Sequence, residues 1–375
     1  TLYTSGFAET GTDEGRRLQT VVTEMAKEGD LNLVGPNCMG IYNPKLGLRF
    51  GGEQAIGEDA TGGVAFISQS GSQGSGFSIE ANRDGIGISK VVSFGNGVVL
   101  DNYDYLEYFA DDPDTKVIAM YVEGTRNGRR FFQTLREVAK RKPVIIWKGG
   151  ITEESARAAS SHSGSLAIPS AIWDAMLKQC NVVNVHGMAE TIDAVKAILF
   201  SPPISTPPRM GLIAASGGHS VEISDAFSLE GLKVPRLSEE SYEKLESFYS
   251  VVGGSFRNPI EGGGNWRREE TAGQVLNILE QDPNVDAVVM ELGAGGFGRA
   301  DPGAILQRVE TIVRYKEKMT KPFWAVLGGD AMRGDPERMR EASRKLQEGG
   351  IPVFQTFVRA AGAMRKLLDY YSNKQ

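Results

Sequence analysis

Short apolar runs alternate with longer amphipathic stretches along the whole chain. VAFISQ (64–69) is followed by a Gly/Ser turn and by GFSIEANRDG. KVIAMYVEG (116–124) leads into RRFFQTLREVAKR, and PVIIWKGG (143–150) follows at once. AIWDAMLKQC, NVVNV and MAETIDAVKAILF continue the pattern. Beyond residue 208, RMGLIAAS (209–216) reads as a strand, followed by a Gly-Gly-His turn and a helix reaching about residue 229. VDAVVMEL (285–292) has the uninterrupted apolar character of a buried strand. Helical periodicity covers 303–318, 336–349 and 357–372, with the strand PFWAVLG (322–328) between the first two. Apolar residues three and four apart place a stripe on one helix face, whereas a short continuous apolar run suits a strand buried on both faces. The repeated strand-then-helix order predicts an α/β fold of doubly wound parallel sheets, with helices on both faces.

The rhythm breaks at SPPISTPPR (201–209), where proline disfavours both helix and central strand, so a domain boundary is placed there. A weaker break spans 45–62, which is polar and glycine-rich. The opening TLYTSGFAETG reads as the end of a strand and its loop with no strand partner upstream, which predicts that sequence ahead of it is missing. The units on either side of the proline stretch share one plan of strand, Ser/Gly turn and helix.

Composition narrows the function. The length of 375 residues suits two or three domains, and 41% hydrophobic content can fill their cores. A net charge of −6 gives no electrostatic support to nucleic-acid or anionic-membrane binding. No apolar run reaches the roughly 20 residues of a membrane span. Two cysteines, Cys38 and Cys180, are too few for a disulfide framework, which points to a reducing, cytoplasmic setting.

The candidate chemistry lies at strand-to-helix junctions, where ligands of parallel sheets bind. Ser160-Ser161-His162-Ser163-Gly164-Ser165 surrounds one of only three histidines with hydroxyls just before a helical stretch. Unpaired N–H groups and the dipole at a helix start favour an anion, so His162 reads as an imidazole that carries a phosphoryl group. The plain alternative is a solvated loop histidine. Ser68, Gln69, Ser70 and Gly71 form a second such junction, suited to phosphate or to an ordinary helix cap. Ser216, Gly217 and Gly218 form a third, which equally suits a packing turn. Glu123 closes the strand IAMYVEG, where a carboxylate can fix one imidazole nitrogen and leave the other as nucleophile; a surface carboxylate is its plain alternative. His186 and His219 lack metal-ligand spacing with each other or with the cysteines, so no metal site is expected.

GFAETG (6–11), GPNCMGIYNP (35–44), ISQSGSQG (67–74), SFGNG (93–97), YVEG (121–124), KPVIIWKGG (142–150) and SHSGSLA (161–167) occur in that order. With SGGHS (216–220), RNPIEGGG (257–264) and KPFWAVLGG (321–329), they resemble the NDP-forming acyl-CoA synthetases over essentially the whole chain. These include ADP-forming acetyl-CoA synthetase and, more distantly, succinyl-CoA synthetase.

The resemblance implies that residues 1–50 are the last part of a Rossmann-like CoA-binding domain. It further implies two flavodoxin-like domains, at 60–200 and 207–375. The reaction it implies converts a carboxylic acid, CoA and ATP to acyl-CoA, ADP and phosphate, reversibly, through an acyl phosphate and a phosphohistidine. His162 matches the phosphorylated histidine, and Glu123 matches the carboxylate that orients it. Ser68 to Gly71 and Ser216 to Gly218 match the helix starts that hold the phosphoryl group. Asn37 and Cys38 match the segment near the CoA thiol and acyl group. The nucleotide and its Mg2+ belong to an ATP-grasp domain or subunit outside this sequence, and a homo- or hetero-oligomer is expected.

Ile168-Pro169, Trp147 and GGGNWRREE (262–270) depart from the family pattern. They put acetate in doubt and leave room for a bulkier or aromatic acid; Trp147 and Trp266 as packing aromatics is the plain alternative. A regulatory CoA-binding protein of the same fold that has lost catalysis is the alternative function. His162 and Glu123 argue against it, because such relatives typically lack the histidine.

Overall fold

A computed structural model describes residues 1–155, 170–262, 265, 269–292, 304–328 and 336–374. The contacts divide the chain into two units, Thr1–Val195 and Lys196–Gln375.

In the first unit, helix α1 (Asp13–Glu28) precedes strand β1 (Gly40–Tyr42). Then follow β2 (Thr61–Ser68), α2 (Gly71–Arg83), β3 (Ile88–Ser93), α3 (Asn102–Asp111), β4 (Val117–Val122), α4 (Gly128–Arg141) and β5 (Val144–Lys148). Helix α5 (Ser170–Gln179), β6 (Val183–Val185) and α6 (Met188–Phe200) complete the alternation, α6 running on into the second unit. The sheet order is β1-β3-β2-β4-β5-β6. All neighbours pair in parallel except β1, which lies antiparallel on β3. Strands β2 and β4 are buried along most of their length, as a sheet covered on both faces requires. Helix α4 sinks Phe131, Leu135 and Val138 into the core and keeps its arginines and lysines on the other face. Residues 1–50 are stitched to this unit through β1, whose Tyr42 is fully buried.

The second unit holds β7 (Met210–Ala214), α7 (Gly217–Leu229), α8 (Glu239–Glu246), β8 (Ile260–Glu261), α9 (Glu269–Gln281) and β9 (Ala287–Glu291). It continues with α10 (Ala304–Lys316), β10 (Phe323–Val326), α11 (Pro336–Glu348), β11 (Val353–Phe354) and α12 (Phe357–Ser372). Its sheet order is β11-β10-β9-β7-β8, parallel throughout. Two apolar clusters fill the two faces, one around Val288, Phe323 and Ala325 and the other around Val289, Trp324 and Val326. Successive residues of β9 and β10 alternate between them, because strand side chains alternate.

The fold class is the expected one, and the helices expected at 303–318, 336–349 and 357–372 lie within two residues of α10, α11 and α12. The periodicity did not single out α3 or β3. Helix α3 carries aromatic residues on several sides, and Tyr103, Tyr105, Leu106 and Phe109 are all buried. Its outer side carries Asp104, Glu107, Tyr108 and Asp111, so an aromatic residue interrupts the polar stripe that marks a surface helix.

Candidate active site

In the first unit the ends of β2 and β4 lie level, with Ser68 paired to Tyr121. The chain therefore leaves β2 into α2 beside the place where β4 ends at Val122 and Glu123 follows. Ser70 occupies the N-cap position of α2, but its side chain makes no capping bond. It meets the Ser72 hydroxyl at 3.1 Å instead. The first backbone bond into the helix is Gly74 N–H to Ser70 O, so among the described residues the N–H groups of Gly71, Ser72 and Gln73 have no acceptor. An uncapped helix start of this kind presents donors and partial positive charge to an anion. A Cβ at Gly71 would lie 2.6 Å from Met39 Cγ, so a larger residue there would displace the Met39 side chain.

Glu123 is held from several sides. The Gln69 carboxamide oxygen accepts from Glu123 N–H at 2.8 Å and Gly124 N–H at 3.0 Å. Lys148 Nζ donates to Glu123 O at 2.7 Å and to Gly149 O, and lies 5.6 Å from the Trp173 ring centre. Burial pulls the Lys148 ammonium below its usual range, while the charge of Glu123 opposes that shift. The Tyr121 hydroxyl donates to Glu123 Oε1 at 3.1 Å. Burial, with the carboxylate beside it, pushes the Tyr121 phenol well above its usual range, so it remains a donor. Glu123 is buried, and its Oε2 has no partner among the described residues. A buried carboxylate oxygen without a donor is costly.

Asn37 and Cys38 belong to the same unit. Asn37 has left-handed backbone (φ 57°), and its amide donates to Asn96 Oδ1 at 3.3 Å. Asn96 N–H in turn donates to Pro36 O. Gly95 lies so close under Pro36 and Asn37 that a Cβ would overlap their carbonyl oxygens. The loop between Phe94 and Gly97 is thus the seat of the Gly35–Gly40 segment. Cys38 faces inward, with Sγ 3.4 Å from Leu2 O, and burial pushes its thiol up. Trp147 packs edge-on against Tyr121, ring centres 4.7 Å apart, so it is part of the wall behind Glu123. His162 and Trp266 lie outside the described residues.

In the second unit, Ser216 caps α7 by accepting from His219 N–H at 3.4 Å, and Gly217 and Gly218 are exposed. The structure thus gathers Ser68, Gln69, Ser70, Gly71 and Glu123 in one corner of the first unit, and Ser216, Gly217 and Gly218 in a corner of the second. Sequence reasoning missed Tyr121 and Lys148. Tyr121 is legible as the residue two before Glu123 on a strand, hence on the same face. Lys148 ends β5 inside an otherwise apolar run. Among the described residues, no group of three His, Cys, Asp or Glu stands close enough to hold a metal ion. No described helix is long and apolar enough to cross a membrane.

Two parallel α/β units whose polar residues gather at the strand ends define a class of flavodoxin-like ligand-handling proteins. Within that class, the model of the succinyl-CoA ligase like flavodoxin domain matches residues 61–198. The alpha subunit of ADP-forming acetate–CoA ligase II from Pyrococcus furiosus is 34% identical over 374 residues, covering 99% of this chain and 78% of that one. ADP-forming acetate–CoA ligase I of Archaeoglobus fulgidus is 33% identical over 369 residues, covering 98% of this chain and 50% of its own. Acetyl-coenzyme A synthetase 1 of Ca. Korarchaeum cryptofilum, solved with phosphate and ADP, superposes with a TM-score of 0.81 at 29% identity, covering 100% of this chain and 77% of that one. The chain belongs to the ADP-forming acyl-CoA synthetases, acid–thiol ligases of the acetate–CoA ligase type.

Proposed function

We propose that this chain carries the acyl-phosphate and phosphohistidine steps of acyl-CoA synthesis. In the direction that makes ATP, phosphate displaces CoA from acyl-CoA to give an acyl phosphate. The imidazole Nε2 of His162 then attacks phosphorus, and the P–O bond breaks with its electron pair leaving on the carboxylate. Glu123 Oε2 accepts the Nδ1–H of that imidazole, which fixes the tautomer and offsets the positive charge that develops on the ring. The free N–H groups of Gly71, Ser72 and Gln73 bind the transferring phosphoryl oxygens, a role for preorganised donors. The phosphoryl group then passes to ADP. That step, with Mg2+, uses an ATP-grasp module in the same or a separate chain, and the working enzyme is an oligomer of such parts. Ser216, Gly217 and Gly218 offer a second set of donors, and Asn37 and Cys38 border the CoA thiol and acyl group. The acid is a small carboxylic acid, and the setting is the cytoplasm.

The observation that carries this reading is the buried, unpartnered Glu123 Oε2 beside an uncapped helix start. The test is phosphorylation by radiolabelled acetyl phosphate. Acid-labile, base-stable label is expected in the wild type and is expected to vanish from position 162 in His162→Ala. Glu123→Gln should lower the rate of labelling by about a hundredfold or more, in the range of losing one charge-assisted group in a transition state, with an unchanged melting temperature. Full labelling of residue 162 in Glu123→Gln removes the orienting role. No label on the wild type favours the regulatory CoA-binding alternative.

A further inference from the structure

The second unit contains a carboxylate–imidazole pair that the proposed reaction does not use. His219 is the third residue of α7, and its Nδ1 lies 2.8 Å from Glu291 Oε1. Glu291 ends β9, with its side chain only 4% exposed. Its other oxygen, Oε2, accepts from Ala215 N–H at 2.7 Å. The His219 side chain is 39% exposed, with the Phe357 ring edge-on at 6.0 Å. Its Nε2 has no hydrogen-bond partner among the described residues.

This corner repeats the layout of the first. In each unit the leading strand (β2, β7) runs into a helix whose start is serine followed by glycine. In each the neighbouring strand (β4, β9) brings a buried glutamate to the same edge. Register sets them apart by two residues: Ile213 pairs with Met290, so Glu291 sits at the level of Tyr121 rather than of Glu123, on the same face. At the third helical position the first unit has Gln73, and the second has His219. The second unit thus holds both members of the pair on its own elements. Among the described residues, Gly217 and Gly218 next to the ring have no acceptor for their N–H groups, and none stands within 4 Å of a Cβ at Gly218. The Glu261 carboxylate, from β8, lies 3.5 Å from where a Cβ of Gly217 would be.

We propose that the His219–Glu291 pair is a second phosphoryl-accepting site, taking the group on Nε2 from an acyl phosphate. Nε2 attacks phosphorus and forms the N–P bond, and the acyl P–O bond breaks with its electrons leaving on the carboxylate. The Nδ1 proton stays in the hydrogen bond to Glu291, which balances the charge appearing on the ring. The N–H groups of Gly217 and Gly218 meet the phosphoryl oxygens. The inference shares with the proposed function the supposition that acyl phosphate is the donor, but it places the product on a different residue.

The test treats the full chain with radiolabelled acetyl phosphate and maps acid-labile label by peptide mass spectrometry at alkaline pH. It compares the wild type with His162→Ala, His219→Gln and the double variant. The expected result is residual label on residue 219 in His162→Ala, and none in the double variant. Glu291→Gln should reduce that residual label by about tenfold or more, as loss of a charged hydrogen-bond partner implies, with His219→Gln matching the wild-type melting temperature. Complete loss of label in His162→Ala overturns this inference and leaves the proposed function standing. Label on 219 without label on 162 does the reverse.

Discussion

Glu123 owes its position to neighbours that touch it with small, directional contacts. Gly149 makes one of them possible, because a Cβ there would lie 2.5 Å from the Tyr121 hydroxyl. Gly149→Ala is therefore expected to push that hydroxyl off Glu123 Oε1. A hydrogen bond to a charged group contributes about 1.5–3 kcal/mol, so labelling of His162 should slow by at least about tenfold. Tyr121→Phe should give the same loss without adding bulk. Single-turnover labelling by acetyl phosphate measures both, and wild-type rates in the pair would remove Tyr121 from the site. Ser70 and Ser216 make a contrast at this level. Both follow an apolar strand and precede glycine, yet only Ser216 caps its helix. Nothing in the local string separates them.

Helix α3 shows how one side chain sets an element. The Asp101 carboxylate accepts from Asn102 N–H at 2.8 Å, and Asp104 returns a bond by accepting from Asp101 N–H, a full capping box. Asp101 Oδ2 also accepts from Arg126 N–H at 3.0 Å, so the cap ties the start of α3 to the loop that follows Glu123. Asp101→Ala is expected to cost about 1–2 kcal/mol of stability, the usual loss for a helix N-cap. Equilibrium urea unfolding measures it, and a change below about 0.5 kcal/mol, the level of an ordinary surface substitution, would mean that the cap is redundant. The strands β2, β4, β7 and β9 were legible because a strand covered on both faces is apolar at every position. Helix α3 was not read from the sequence, because its four aromatic residues, one of them the exposed Tyr108, blur the polar side formed by Asp104, Glu107 and Asp111.

In both units, carboxylates at least half-buried tie loops to neighbouring elements. Burial opposes ionisation of Asp112, but bonds from Lys90 at 2.7 Å and Thr115 at 2.6 Å outweigh it and hold the carboxyl below its usual range. Asp282 in the second unit is likewise held low, burial being outweighed by bonds from Ser241, Ser238 and Asn284. Glu280 follows the same rule, with bonds from Thr320 and Lys321 outweighing its burial. A carboxyl whose pKa is depressed on folding stabilises the fold above its unfolded pKa, and loses that contribution as pH falls through the folded value. The melting temperature is thus expected to hold steady down to about pH 4–5 and to fall below it, since unfolded Asp and Glu titrate near 4. Asp112→Asn should flatten part of that fall. A thermal melt series over pH checks this, and a wild-type curve without an acid limb would contradict it.

The order of apolar runs determined the α/β class, the parallel sheets and most helix positions, because burial on one face or two leaves its period in the chain. The motifs determined the family, because their residues recur in a fixed order over nearly the full length. Tertiary structure alone decided which oxygen of Glu123 lacks a partner, which serine caps its helix and that His219 meets Glu291. Those facts depend on which strands lie side by side and in what register, and hydrogen bonds between residues as far apart as 54 and 72 positions leave no local signature.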